Sequence, residues 1–152
     1  MKKVLLLTIL ILAIFVSQAQ NTGSTYRTAL GVKIWDGGGI SFKQFLNGNN
    51  AGELIAYFNR RGFRLTGLYE IHGNISGTNG LKWYIGPGAH IGFYDSKYDE
   101  DATVVGVDGV IGLDYKYRGA PINMSVDWQP SLEFGDGRGL RHLGGLGIRY
   151  TF

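Results

Sequence analysis

From Tyr26 to Phe152, apolar side chains return at every second residue in run after run. No other feature of the chain limits its fold as strongly. A helix would repeat near 3.6 residues, so a period of two makes these runs strands with two chemically distinct faces. Clusters of Gly, Asn and Asp separate the runs: "DGGG", "NGNN", "NRRG", "HGNISGTNG", "DSKYDEDA", "YRGAP" and "FGDGRGLR". Such residues supply the backbone angles that tight turns need. Eight strands are therefore expected, with no helix and no second domain. The last of them, "LGIRYTF", runs to the final residue without a tail.

Sorting by parity separates the faces. One face carries Leu30, Val32, Ile34, Leu65, Tyr69, Trp83, Ile85, Val107, Ile111, Val126, Trp128, Leu146, Ile148 and Tyr150, with Tyr26 and Thr28 at its start and no charged side chain. The other carries Arg27, Lys33, Arg64, Glu70, Lys82, Asp108, Asp114, Lys116, Asp127, Glu133 and Arg149, interleaved with Gly31, Gly86, Gly88, Gly92, Gly106, Gly112, Gly145 and Gly147. Lys43 and Glu53 join the polar face from the second and third runs, opposite Ile40, Phe42, Leu54, Ala56 and Phe58.

Alternation alone does not say which face points inward. Eight strands enclose a space just wide enough for side chains to fill, and Trp83, Trp128, Phe63, Phe93 and Phe134 would overfill it. Glycines make room in a cramped lumen, whereas on a solvent face they would only weaken strands. The bulky face is therefore expected to meet lipid and the polar face to line the interior. With both termini at one rim, Tyr26, Tyr69, Trp83, Tyr115, Tyr117, Tyr150 and Phe152 gather there, and Phe63, Phe93 and Phe134 gather at the other. These are two aromatic girdles. Closure would also satisfy every strand edge, as a sheet in lipid requires. Pro87 and Pro130 fall inside strands, where each should mark a bulge or bend.

The opening segment is separate. Lys2 and Lys3 precede an apolar stretch, Val4 to Val16, and then small polar residues. The stretch is too short to span a bilayer and reads as a secretory signal, residues 1–19, cleaved from a barrel domain of residues 20–152. Its loss removes Lys2 and Lys3 from a chain of 15 basic and 12 acidic residues, so the pI near 9.2 does not argue for nucleic acid. The chain has no Cys, which excludes disulfides.

Signal, strand pattern and the terminal "GIRYTF" together resemble small eight-stranded outer-membrane barrels of Gram-negative bacteria, the OmpA/OmpX-like class. The resemblance covers residues 25–152. It implies an outer-membrane location, a monomer, and a C-terminal strand in which Tyr150 and Phe152 are read by the barrel-assembly machinery. The short outer turns "DGGG" and "NRRG" depart from a class that uses long loops for adhesion.

The candidate chemistry is an ion-pair network of Arg27, Lys33, Lys43, Glu53, Arg64, Glu70, Lys82, Asp108, Asp114, Lys116, Asp127, Glu133 and Arg149. Near balance of the two signs points to a sealed interior, because unpaired charge there is costly. Pairs are expected between neighbouring strands: Arg64 or Lys82 with Glu70, Asp114 or Lys116 with Asp127, and Arg149 with Glu133 or the neighbours of Arg27. Arg60, Arg61, Arg138 and Arg141 sit at outer turns, where guanidinium groups can grip lipopolysaccharide phosphates. Neither a cofactor nor a metal is expected: His90 lacks a second His on its face, His72 falls in a turn, and the acidic loop Asp95–Asp101 lacks the order of a calcium loop. A Ser131–His142 pair with Glu133 is the alternative that would make a lipid-A-modifying enzyme, although the parity puts Ser131 inside and His142 outside. A narrow channel and a soluble carrier barrel are further alternatives.

Overall fold

A computed structural model of the chain describes residues 26–60, 62–94, 103–134 and 139–152. The signal segment, the acidic loop, Arg61 and Arg138 lie outside them. Eight antiparallel strands form one closed sheet: β1 (Thr28–Trp35), β2 (Gly37–Asn47), β3 (Asn50–Asn59), β4 (Gly62–Asn74), β5 (Leu81–Tyr94), β6 (Thr103–Lys116), β7 (Ile122–Phe134) and β8 (Leu140–Thr151). Each pairs with its sequence neighbours, and β8 returns to β1. We call the end holding Tyr26 and Phe152 the lower rim.

Parity decides inside from outside as the alternation requires, and the apolar face is the outer one. Most of its large side chains are exposed, up to 63% at Leu140, with Phe42, Phe63, Leu65 and Ile91 half-buried, whereas Lys33, Lys43 and Glu70 are fully buried. Phe58, Phe63 and Phe93 form an aromatic row near the upper rim, and Tyr150 meets Phe152 at the lower one. Tyr26 and Thr28 depart from the expected outward face. Tyr26 precedes β1, so the period of the strand does not bind it, and its ring is buried under the barrel.

The prolines do not cause bulges. Leu68 pairs with Gly88 and Ile71 with Ile85 in one register, with the pairs next to Pro87 missing from the β4–β5 ladder. The β6–β7 ladder likewise skips from Asp108–Ser131 to Ile111–Trp128 around Pro130. A residue without N–H interrupts the ladder while the strands keep step. The register shifts instead between Phe45 and Asn47 on β2, which turns Phe45 inward and Leu46 outward.

Glycines admit the large interior side chains. A Cβ on Gly112 would stand 2.7 Å from the Tyr84 ring, and one on Gly147 would stand 2.9 Å from the Arg149 guanidinium.

Candidate functional site

The interior is built in three tiers. Near the lower rim, rings pack in series: Tyr26 edge-on to Phe45 at 5.1 Å between centroids, Phe45 to His72 at 4.8 Å, and His72 on Tyr84 at 5.1 Å. The Tyr26 hydroxyl donates to Asp114 at 3.1 Å. Burial, reinforced by that carboxylate, pushes the phenol well above its ordinary range, so it remains a neutral donor. Lys43 lies between Glu70 (2.8 Å) and Asp114 (3.3 Å), with its ammonium over the Tyr84 ring. Lys82 reaches over Phe45.

In the middle tier, Arg149 pairs with Glu53 and donates to Ser41, Ser125 and Asn123. Lys33 meets Asp127 at 2.6 Å and Glu53 at 3.6 Å. Tyr84 and Gln129 also donate to Asp127. Both cations thus have carboxylate partners and the carboxylates have neutral donors besides, the condition under which buried ions are tolerated.

In the upper tier, Arg64 lies 2.6 Å from Asp108 and 3.6 Å from Glu133, and donates to Ser131 at 2.9 Å. His90 Nδ1 is 2.9 Å from Asp108, and Arg141 Nε is 2.8 Å from Glu133. Above this tier a cavity of about 810 Å³ opens at the upper rim, lined by Trp35, Tyr57, Arg60, Arg64, Tyr94 and Arg141 among others.

The expected charged residues mostly converge, but not in the expected pairs. Glu70 takes Lys43, Asp127 takes Lys33, Arg149 takes Glu53, and Glu133 takes Arg64 and Arg141. Neighbouring strands were too narrow a frame: Arg141–Glu133 does join neighbours, but the other pairs cross the narrow lumen to strands two or more places away. Two members of the expected set stand apart: Lys116 donates to the backbone carbonyls of Tyr117 and Ala120, and Arg27 is half-buried near the lower rim. His72 is a buried β4 residue and not part of a turn.

Sequence reasoning missed Tyr84, Ser41, Asn123 and Gln129, all buried and all bonded to the charged groups. Their parity matches that of the charged residues and would have found them.

The Ser–His arrangement is not that of an activated nucleophile. Ser131 faces His90 at 3.5 Å, but on Nδ1, the nitrogen that Asp108 already holds. His142 points outward and stacks on Trp128 at 5.7 Å. Among the described residues no group of three acidic, His or Cys side chains could hold a metal ion. No family model, curated protein or solved structure matches the chain.

Proposed function

We propose that the chain is an integral outer-membrane protein of a Gram-negative bacterium, exported by its N-terminal signal, whose ionic interior plugs the lumen. Its role is structural or one of envelope contact; it is not an open pore. One observation carries this reading. The whole circumference presents large, uncharged apolar side chains while the charges are buried inside. A protein dissolved in water rarely exposes apolar area on that scale, and in a bilayer the same surface is at its lowest free energy.

Other features agree with it. Closure leaves the wall without a free sheet edge over most of its height. The aromatic groups lie at the two rims, where headgroups would lie. Tyr150 and Phe152 end β8 as exposed rings, the form in which the assembly machinery would read them. Arg60 and Arg141 stand at the upper rim, where they would meet lipopolysaccharide phosphates; Arg61 and Arg138 belong to the same idea. Partners are then outer-membrane lipid and lipopolysaccharide, with the assembly machinery during biogenesis, and the barrel works as a monomer.

Flotation with phospholipid vesicles, combined with gel mobility before and after boiling, tests this reading. An inserted barrel floats with the vesicles and migrates differently once heated. A protein that stays in the aqueous fraction and migrates identically in both lanes contradicts it.

A further inference from the structure

The wall is not equally high all round. β8 pairs with β7 from Leu140 to Tyr150, but with β1 only from Leu146 to Thr151. Residues 140–145 therefore have a strand on one side only. At about 3.3 Å per residue the missing ladder is roughly 15–20 Å long. The upper cavity lies beside it, bounded by Trp35 and Asp36 at the β1–β2 turn and by Arg141, Leu143 and Gly144 on β8. Ile34 (58% exposed), Trp35 (57%), Leu140 and Leu146 (both 63%) rim the gap and are among the most exposed apolar side chains of the molecule.

The cavity's polar side is cationic. Among the described residues, three guanidinium groups, Arg60, Arg64 and Arg141, line it against one carboxylate, Asp36. Arg64 is buried and committed to Asp108 and Glu133. Arg141 holds Glu133 through Nε with 37% of its side chain still exposed. Arg60 is exposed and forms no ion pair among the described residues. The backbone groups of residues 140–145 that face the gap also lack a strand partner.

We infer that this side-opening mouth binds an anionic amphiphile, its phosphate or carboxylate head held at Arg60 and Arg141 and its chain leaving through the β1–β8 gap along Ile34, Trp35 and Leu146. The inference rests on the membrane reading above. A ligand entering from water would need no sideways opening. A ligand from the bilayer needs one, and the apolar rim gives its chain a path while the arginines and open backbone receive its oxygens. The cavity volume lies in the range of small-molecule sites, and guanidinium matches either oxyanion.

The test uses Trp35 as reporter. In a Trp83→Phe/Trp128→Phe protein it is the one remaining Trp. After reconstitution in phosphatidylcholine vesicles, the protein is titrated with a terminally brominated fatty acid, a matching brominated alkyl phosphate, or phosphatidylcholine brominated in its chains. Saturable quenching by at least one anionic probe is expected, and comparing the two anions identifies the preferred head. Arg60→Gln, at an exposed position, should weaken it about fivefold, and Arg60→Lys should restore part of the loss. Quenching that rises linearly, equals that from the brominated phosphatidylcholine, or ignores Arg60→Gln overturns the site while leaving the membrane reading in place. Failure to float with the vesicles overturns both.

Discussion

Lys33 Nζ lies 2.6 Å from Asp127 Oδ2, although β1 and β7 are not neighbours in the sheet. The pair spans the lumen behind β8, and both side chains are wholly buried. Contacts of this kind tie the wall together through its centre.

Removing both partners should therefore cost less than the two single removals added together. Lys33→Met or Asp127→Asn alone leaves a buried charge without its counterpart, at about 3–5 kcal/mol each. The double variant should lose clearly less than the sum, with a coupling energy of about 1–3 kcal/mol. Urea unfolding in bilayers across the four-member cycle measures it. Additive losses would mean that Glu53, Tyr84 and Gln129 hold the two ions independently.

Gly112→Ala should destabilise the barrel by about 1–3 kcal/mol through overpacking. Its new Cβ would meet the Asp127 Cβ and the Val126 carbonyl at 2.6 Å and the Tyr84 ring at 2.7 Å. Gly67→Ala, with nothing within 4 Å, is the matched control and should change little. The same unfolding assay compares them.

The lumen should not conduct. Rings from Tyr26 to Tyr84 and two tiers of ion pairs fill the path. Planar-bilayer recordings of purified protein should show no stable open steps. Reproducible single-channel steps would contradict the plug.

Arginine on the outer face should report depth. Ile111→Arg, about halfway along β6 and 50% exposed, should cost about 2–4 kcal/mol in a bilayer, and Tyr117→Arg at the lower rim about 0–1. In a water-soluble barrel both would be nearly silent. Stability in vesicles gives the comparison.

Strand number, closure and the sidedness of most strand residues were legible because one face of each strand had to be uniform. Trp83 and Lys82 are adjacent in sequence and chemically opposite, so either one orients β5. The pairing inside the lumen was not legible. It depends on reach across the barrel, as Lys43 shows: its Cα partner on β3 is Glu53, yet its ammonium goes to Glu70 and Asp114. Nor was the lower tier, since Tyr26 lies outside any strand and Phe45 is turned inward by a register shift that no turn residue announces. The upper gap escaped for the same reason: where β8 outruns β1 depends on register, not on composition.

Which face meets lipid is the premise of every prediction above. The absence of cysteine allows single spin labels to be placed at will. Labels along β6 in vesicles should alternate. Those at Val105, Val107, Ile111 and Leu113 should collide freely with oxygen and hardly with a water-soluble nickel chelate, and those at Val104 and Val110 should be immobile and shielded from both. Chelate access at Val107 and Ile111 equal to that of a label in water would contradict the account.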